Sequence, residues 1–310
     1  MRTIDLFAGV GGVRLGFENA GFTTVFANDF EPACKETYDL NSKEAHLTVM
    51  DINKLKISDL PEFDLLLGGF PCQAFSIAGY RKGFDDDKGR GALFFKVAEI
   101  IAERKPKAIF LENVKNLKTH DNGKTFNVIK NALEDIGYHV KYEILNSMTH
   151  GNVPQNRERI FIVGFLDKKC FDKFKFPEEI DLTTNFRELL DTSVDGKYYY
   201  NGKTIYSRLK NDIVSKDKVY QWRRRYVREN KSGVVPTLTA NMGTGGHNVP
   251  IILDDKGIRK LTPKECFLMQ GFPRSFKLPR IADSKLYQQA GNSVSVPVVE
   301  RIAKEIKKVL

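Results

Sequence analysis

The feature that most constrains the fold of this chain is an alternation of short apolar runs with longer helical patterns over about the first 165 of its 310 residues. The runs at 3–7, 63–67 and 160–165 predict strands, whereas residues 92–104 place apolar side chains at helical spacing. Strands that alternate with helices predict an α/β fold with a doubly wound, mostly parallel sheet. Right-handed crossovers then place the carboxyl ends of the strands, and any ligand bound there, along one edge of the sheet.

The pattern changes after about residue 167, where tyrosine, arginine, lysine and glycine dominate up to about residue 250. We therefore predict two domains, one formed by residues 1–170 plus 285–310 and a smaller one formed by residues 171–284. The further strands predicted in the first domain are 23–27, 108–111 and 138–145, and the further helices are 12–19, 32–40, 125–136 and 295–310.

The basic residues are concentrated in one part of the chain. The formal net charge is +10, and residues 197–231 contain eleven basic and three acidic side chains. A local basic segment favours a polyanionic partner, nucleic acid rather than a membrane. No apolar run approaches the roughly 18 residues that a membrane-spanning helix needs. The strand-like start leaves no room for a signal peptide.

Four cysteines, Cys34, Cys72, Cys170 and Cys266, are far apart and form no Cys-x-x-Cys pair. This spacing predicts neither a metal site nor a disulfide framework, and it favours a reducing cytoplasm. It therefore argues against a secreted, disulfide-rich protein and against a zinc finger.

A glycine-rich segment, DLFAGVGG, follows the first predicted strand and opens a helix. Glycines at such a turn let the backbone approach a ligand closely, and the helix amino terminus offers unpaired N–H groups. Asp29 ends the next strand, where an acid can bind ribose hydroxyls. The spacing lacks the full dinucleotide fingerprint, so a nucleoside cofactor fits as well as NAD. A tight strand–helix turn without any ligand is the alternative.

A possible nucleophile, Cys72, follows the predicted strand at 63–67 in the segment GGFPCQ. A cysteine at the carboxyl end of a strand can act as a nucleophile, although most free cysteines are buried small hydrophobes. The polar segment 76–90 is interrupted by three glycines, which is typical of a loop that closes on a substrate.

Charged side chains follow or precede two further strands. Glu112 comes after the strand at 108–111, where it can act as an acid or simply cap a helix. Arg157 and Arg159 are two residues apart, so on an extended chain they face the same side. They form either part of a site or a solvated charged rim.

These segments, in this order, resemble the DNA (cytosine-5)-methyltransferase family. The matching segments are DLFAGVGG, GGFPCQAFS, ENV, QNRER, RKLTPKECFLMQGFP and QQAGNSVSVPVV. The resemblance covers the chain except for about residues 168–255, the part that varies between family members. The compact length resembles that of a bacterial enzyme of a restriction–modification system.

The resemblance implies S-adenosyl-L-methionine as the methyl donor and S-adenosyl-L-homocysteine as the product. Asp29 would bind the ribose hydroxyls, Phe30 would stack on the adenine, and Asp51 would receive the adenine amino group. The other residues implied to form this site are Phe7, Gly9, Val10, Gly11, Ile52, Leu93, Asn292 and Ser293. The C-terminal helix should therefore fold back onto the first domain.

The resemblance also assigns the chemistry and the DNA contacts. Cys72 would add to carbon 6 of cytosine, Glu112 would contact the ring, and Arg157 and Arg159 would support it. A stacked base cannot reach the thiol, so the target must be turned out of double-stranded DNA. The smaller domain would recognise the target sequence. The residues implied to bind DNA are Ser76, Arg81, Arg90, Arg223, Arg224, Arg225, Arg228, Lys231, Thr237 and Asn241.

The sequence departs from the family pattern at two positions. The family usually has an arginine where this chain has Leu268, so we expect a local ion pair to be missing there. Phe30 stands where a tryptophan is common and would stack with less area.

Three alternatives remain at this level. They are a transfer-RNA methyltransferase, an NAD-dependent dehydrogenase and a catalytically silent DNA-binding relative. For the DNA methyltransferase we expect a monomer in the bacterial cytoplasm, associated with the nucleoid through DNA. A cognate endonuclease would act on the same site without stable binding, and no membrane partner is expected.

Overall fold

The structure is a computed structural model, and it describes residues 1–71, 92–244 and 248–310. The predictions for Cys72, Ser76, Arg81 and Arg90 lie outside the described residues. The described chain divides into two compact units. Unit 1 comprises Met1–Leu145, Glu158–Glu178 and Val298–Leu310, and unit 2 comprises Asn146–Arg157 and Glu179–Pro297.

The strands lie in three sheets, and the largest belongs to unit 1. In chain order the strands are β1 (Arg2–Leu6), β2 (Thr23–Asp29), β3 (Leu47–Val49), β4 (Leu65–Gly68), β5 (Ala108–Val114), β6 (His139–Asn146), β7 (Gln155–Asn156), β8 (Glu158–Phe165), β9 (Tyr220–Trp222), β10 (Val227–Glu229), β11 (Val235–Pro236), β12 (Ile251–Asp254) and β13 (Gly257–Lys260). The large sheet has the order β3-β2-β1-β4-β5-β8-β6. Its first five strands pair in parallel and β8 pairs antiparallel to β5, so the predicted α/β fold with a mostly parallel sheet is confirmed.

The α-helices are α1 (Gly12–Asn19), α2 (Pro32–Leu40), α3 (Ala92–Arg104), α4 (Lys124–Asp135), α5 (Ser147–Gly151), α6 (Lys168–Lys173), α7 (Tyr206–Leu209), α8 (Pro263–Leu268), α9 (Asp283–Asn292) and α10 (Val296–Val309). The local sequence explains where one of these helices begins. Helix α2 starts with Pro32 at its first position, behind the side chain of Glu31, which accepts the Ala33 N–H. In the part of the chain that the structure describes, no helix combines the length and the apolar character needed to cross a membrane.

The register of the parallel strands sets up the edge where their carboxyl ends meet. Leu6 of β1 pairs with Asn28 on one side and with Gly68 on the other, and Gly68 in turn pairs with Leu111. These four residues therefore form one row across the sheet. The next residue on each strand lies at the same edge, about 4.8 Å from its neighbour.

The C-terminal helix packs within unit 1. A Cβ added to Gly16 of α1 would lie 2.7 Å from Cγ1 of Val299, which shows how closely α1 and α10 approach. Lys307 also donates to the backbone oxygen of Ala20. These contacts agree with the expectation that the C-terminal helix folds back onto the first domain.

Unit 2 contains a four-stranded antiparallel sheet with the order β10-β9-β12-β13. Its core includes Tyr220, Trp222, Ile251 and Ile258. Sequence periodicity could not predict this sheet, because its strands have only three or four residues.

The boundaries of the compact units differ from the predicted domain boundaries. Residues 146–157 and 285–297 lie in unit 2 instead of the larger domain. The reason is pairing: Gln155 of β7 pairs with Val235 of β11, and Gly291 of α9 lies against the backbone of Thr239. The assignment of catalysis to one domain and of target recognition to the other stays a prediction.

A buried ion pair lies in unit 2 near Leu268. The Arg259 guanidinium donates to both oxygens of the Glu265 carboxylate, at 2.8 and 2.9 Å, and both residues are fully buried. Glu265 also accepts the backbone N–H of Thr262 in a capping box. Leu268 itself is buried and carries no charge. The expectation that the local ion pair is missing was nevertheless wrong, because Arg259 supplies it from β13.

We predict that Arg259→Met destabilises unit 2 by about 3–5 kcal/mol, because it leaves the Glu265 carboxylate buried without its cation. Urea unfolding followed by the fluorescence of Trp222, the single tryptophan, measures this unit directly. The matched control is Lys256→Met at an exposed position next to β13, which should change stability by less than about 0.5 kcal/mol. Equal unfolding midpoints for the two variants would contradict the prediction.

Candidate active site

Three residues predicted for the site, together with Gly69, occupy one row at the carboxyl edge of the large sheet. Phe7, Asp29, Gly69 and Glu112 each come one residue after the paired row of Leu6, Asn28, Gly68 and Leu111. Glu112 is about two strand spacings, roughly 10 Å, from Phe7. The edge therefore holds a turn, two carboxylates and a glycine within the dimensions of a small-molecule site.

The turn after β1 adopts a backbone that favours glycine. Phe7, Gly9 and Gly11 have φ angles of 56°, 54° and 85°, all in the left-handed region. A Cβ at Gly9 would find no atom within 4 Å, so open space lies above this residue. A Cβ at Gly11 would lie 2.9 Å from Nε of Arg14. The turn is therefore open on one side and tightly packed on the other.

Asp29 holds this turn and keeps hydrogen-bonding capacity for a ligand. One carboxylate oxygen accepts the Gly9 N–H at 2.8 Å, and the other accepts the Glu31 N–H at 2.9 Å. Each carboxylate oxygen has a second acceptor position. Burial raises the pKa of Asp29, and the hydrogen bonds from Glu31 and Gly9 oppose that rise.

The side chain after Asp29 is an exposed aromatic ring. Phe30 is 70% exposed, although phenylalanine is usually buried. A flat apolar face beside the Asp29 carboxylate suits a purine stacked over the ring, with a ribose hydroxyl at the acid. The open space over Gly9, the Asp29 carboxylate and this ring together fit S-adenosyl-L-methionine.

The remaining residues predicted to bind the cofactor differ in exposure. Asp51 is exposed, and one of its carboxylate oxygens accepts the Asn53 N–H at 3.0 Å. Val10 and Ile52 are each 2% exposed, so their side chains offer almost no surface to a ligand. Leu93 packs against the core of unit 1. In unit 2, Asn292 is exposed, and the buried hydroxyl of Ser293 has no hydrogen-bond partner among the described residues.

A buried carboxyl group connects the two ends of the turn between β1 and α1. Asp5 of β1 accepts the Arg14 N–H at 3.2 Å, at the start of α1, and is completely buried. Burial raises the pKa of Asp5 to about 7, against the lowering effect of Arg14. Arg14 in turn donates to Glu18 at 2.7 Å and lies over the ring of Tyr38. The sequence contained no signal for this cluster beyond a polar residue inside a buried strand.

Glu112 forms an ion pair at the other end of the row. Nε of Arg159 lies 3.0 Å from one Glu112 oxygen, and both side chains are about 15% exposed. The pair bridges β5 and β8, where Val114 is paired with Arg159. The other Glu112 oxygen would lie 3.6 Å from a Cβ on Gly69. A glycine at position 69 thus leaves one side of the carboxylate accessible to a ligand.

Asn113 is a functional candidate that the sequence analysis did not single out. Its side-chain N–H donates to the backbone oxygen of Phe70 at 2.8 Å, and the residue is 3% exposed. Phe70 stands two residues before Cys72 in the sequence. Alternation along β5 could have revealed Asn113, because a polar residue on the buried face of a strand needs a partner.

Arg157 and Arg159 belong to different units. Arg157 is 2% exposed, and its guanidinium donates to the backbone oxygens of Leu238, Gly291 and Ser293 within unit 2. The two arginines therefore have different partners, since Arg159 contacts Glu112. The ladder of β8 begins only after Arg157, so the two side chains do not share one strand.

The basic residues predicted to bind DNA concentrate at one hairpin of unit 2. Strands β9 and β10 are joined by Arg223, Arg224, Arg225 and Tyr226. All four side chains are exposed, and Arg224 has a left-handed φ of 62°. The remaining basic candidates, Arg228 and Lys231, are also exposed, as is Asn241. The Thr237 hydroxyl donates to the backbone oxygen of Asn156 at 2.7 Å.

The sequence matches the family of C-5 cytosine-specific DNA methylases over residues 1–308. The chain belongs to this family. It is 53% identical to the type II methyltransferase M.Bsp6I of Bacillus sp. strain RFL6, with 99% of each chain covered. It is 42% identical to the type II methyltransferase M.HaeII of Haemophilus aegyptius, covering 97% of this chain and 91% of that one.

Solved structures agree with the fold of these methylases. The S. pombe Dnmt2 methyltransferase has a TM-score of 0.75 at 20% identity, covering 99% of this chain and 98% of that one. The Entamoeba histolytica methyltransferase EhMeth gives the same TM-score, identity and coverage. The family match and the curated relatives show that the protein is a DNA cytosine-5 methyltransferase, and the dehydrogenase alternative was wrong. Among the described residues, no cluster of His, Cys, Asp or Glu is arranged to hold a metal ion.

We predict that Asn113→Ala lowers kcat of this methyltransferase by about 10²-fold, because a small misplacement of reacting groups has effects of that size. Cofactor affinity should stay within about twofold of wild type, because Phe70 follows strand β4 and is not part of the turn after β1. The matched control is Asn116→Ala at an exposed position on the same segment. Single-turnover methylation and cofactor titration measure the two effects. Parallel losses in kcat and in cofactor binding would contradict a positioning role.

We predict that Asp5→Asn stabilises the methyltransferase increasingly between about pH 4 and pH 7. The wild-type carboxyl has a pKa of about 7 when folded and 3.8 ordinarily, so over this range the unfolded chain ionises and the folded chain does not. The penalty reaches on the order of 4 kcal/mol and is constant above pH 7. Urea unfolding of both proteins at a series of pH values measures it. A difference in stability that does not change with pH would contradict the assignment.

Proposed function

We propose that this protein transfers the methyl group of S-adenosyl-L-methionine to carbon 5 of a cytosine turned out of double-stranded DNA, with Cys72 as the nucleophile. The family assignment supports the reaction class. The observation that carries the residue assignment is the row at the sheet edge. It puts Glu112, with its Arg159 partner, beside Gly69, which stands three residues before Cys72 in the sequence.

The chemistry requires a covalent step. Carbon 5 of cytosine is too weak a nucleophile to accept a methyl group directly, so the Cys72 thiolate adds to carbon 6 and makes carbon 5 electron-rich. Carbon 5 then takes the methyl group, its proton leaves, and the sulfur of Cys72 is eliminated. The thiolate, and not the thiol, is the reactive form, so positive charge from Arg159 near the site assists the addition.

Glu112 and its partner act on the cytosine ring. Negative charge develops on the ring as the thiolate adds, and Glu112 neutralises it by sharing a proton with ring N3. One Glu112 oxygen is held by Arg159 at 3.0 Å, which leaves the oxygen beside Gly69 for the ring. Arg159 therefore orients the carboxylate. Arg157 joins two backbone segments of unit 2, one at Leu238 and one at Gly291–Ser293, and acts as a positioning residue.

S-adenosyl-L-methionine supplies an electrophilic methyl group carried on a sulfonium. Asp29 and Phe30 hold its ribose and adenine, and Asp51 receives the adenine amino group. Phe7, Gly9, Val10 and Gly11 offer backbone groups at the left-handed turn. Ile52, Leu93, Asn292 and Ser293 complete the set that the family resemblance assigns.

Unit 2 binds and reads the DNA. Because the Arg223–Arg225 tip is short, at most two of its three guanidinium groups reach base edges, and the others contact phosphates. The relatives M.Bsp6I and M.HaeII are named type II methyltransferases, which supports a role in protecting host DNA within a restriction–modification system. A monomer acting on nucleoid DNA in a bacterial cytoplasm suits this role, as does an endonuclease that shares the target without stable binding.

We predict that Cys72→Ser lowers methyl transfer to less than about one thousandth of the wild-type rate. A serine hydroxyl is a far weaker nucleophile than a thiolate, whereas the cofactor residues remain unchanged. Cys170→Ser is the matched control, because the Cys170 thiol only donates to a backbone oxygen of Val309 and serine can do the same. Full turnover by the Cys72 variant would rule out the covalent mechanism.

Substrate choice separates the DNA enzyme from the transfer-RNA and silent alternatives. Labelled S-adenosyl-L-methionine is offered with genomic duplex DNA or with total transfer RNA. We expect label in DNA alone, at cytosine carbon 5, and bisulfite sequencing then shows the target. Label in transfer RNA alone would contradict the proposed substrate, and label in neither would favour the silent relative.

A further inference from the structure

Two lysines of unit 2 lie over the ring of Tyr198, and a third, Lys203, lies over the ring of Tyr200 and contacts one of them. Nζ of Lys197 lies 4.9 Å from the centre of this ring, and Nζ of Lys260 lies 5.7 Å from it. Lys260 also lies 5.3 Å from the ring of Tyr287, and Lys203 donates to the backbone oxygen of Lys197 at 2.8 Å. We call Lys197, Lys203 and Lys260 the lysine cluster.

The lysine cluster has more positive charge than its surroundings neutralise. Among the described residues, Asp283 is the carboxylate in contact with it, 2.8 Å from Nζ of Lys197. The same Asp283 oxygen accepts the Tyr198 hydroxyl at 2.9 Å. Within the described chain, no hydrogen-bond acceptor contacts the Lys260 ammonium. Burial lowers the pKa of Lys260, and repulsion by Lys203 and Lys197 lowers it further.

The lysine cluster adjoins the segment of unit 2 that the proposed function assigns to DNA. Gly291 of α9 lies against the backbone of Thr239, and Gly243 lies against that of Ser284 at the start of the same helix. Thr237 and Asn241 therefore belong to a segment that runs along α9 towards Asp283. Lys260 ends strand β13, and the next residue, Leu261, donates its N–H to the backbone oxygen of Pro250, just before strand β12.

We propose that the lysine cluster binds backbone phosphates of the DNA strand held along α9. The proposal rests on the proposed function, since it takes DNA as the substrate. Lysine ammonium groups bind phosphate as compact point charges, and an excess of two positive charges matches one or two phosphates. The aromatic rings of Tyr198 and Tyr287 hold the ammonium groups in place without neutralising them. Asp283 lowers the net positive charge of the cluster by one.

The test is the affinity of the full-length protein for a fluorescent duplex of mixed sequence, measured by anisotropy from about 0.05 to 0.2 M salt. Each lost phosphate contact reduces the slope of log K against log salt by about 0.9. At roughly 0.15 M salt this corresponds to about fivefold weaker binding per contact. We expect such a loss for Lys260→Gln and a larger loss for Lys260→Gln combined with Lys203→Gln. Lys260→Arg keeps the charge and should restore binding.

Two further variants separate an electrostatic role from a structural one. Lys256→Gln is the matched control, because Lys256 is exposed on the β12–β13 turn next to Asp254 and Asp255 and should leave affinity and slope unchanged. Asp283→Asn removes the negative charge of the cluster, so we expect tighter DNA binding. A merely structural role would weaken binding in both the lysine and the aspartate variants.

The outcomes distinguish the lysine cluster from the proposed function. If the wild-type protein methylates DNA while Lys260→Gln and the double variant keep its affinity and salt slope, the phosphate site is refuted and the function stands. Weakened binding in Asp283→Asn would also refute it. A wild-type protein that neither methylates nor binds duplex DNA would overturn both.

Discussion

The hydrogen-bonded register of four parallel strands places the candidate residues of unit 1 in one row. Strands β2, β1, β4 and β5 align Asn28, Leu6, Gly68 and Leu111, so the next residues emerge together at the carboxyl edge. A slip of one residue in β5 would turn Glu112 to the opposite face and bring Asn113 in its place. The contact of Glu112 with Arg159 and the bond from Asn113 to Phe70 both require the observed register. The positions of the candidate residues at this edge therefore depend on the pairing of the strands, and not only on which side chains are present.

Buried polar groups hold this edge in place, and each of them has a cost in stability. Asp5 accepts the N–H at the start of α1, yet its second oxygen has no partner among the described residues, and burial keeps the pKa of this acid near 7. In unit 2 the completely buried pair of Arg259 and Glu265 likewise connects two elements of the fold, a strand and a helix. Such groups are strongly destabilising when one partner is lost, whereas an intact pair adds little net stability. We infer that they are present because they fix the backbone conformation on which the two binding surfaces depend.

The sequence predicted the large sheet because its strands and helices are long enough to show a period, and their order implied the common edge. It also pointed to Asp29 and Glu112, because each comes at the end of a predicted strand, whereas Phe30 was indicated only by the family resemblance. The small sheet of unit 2 could not be predicted, since strands such as Tyr220–Trp222 are too short for a period. The sequence did not reveal the break between β7 and β8 at Arg157, because such a break leaves no trace in composition. The partner of Glu265 was missed because Arg259 lies on another element, and pairing of that kind is decided by tertiary packing.

The most direct test of the central claim is covalent trapping on duplex DNA that carries 5-fluorocytosine at the target position. Fluorine at carbon 5 cannot leave as a proton does, so the sulfur of the nucleophile stays bonded to carbon 6 after methyl transfer. We predict a stable complex that requires S-adenosyl-L-methionine, with peptide mapping by mass spectrometry locating the bond at Cys72. A complex bonded through another residue, or no complex from a preparation that methylates unmodified DNA, would contradict the account.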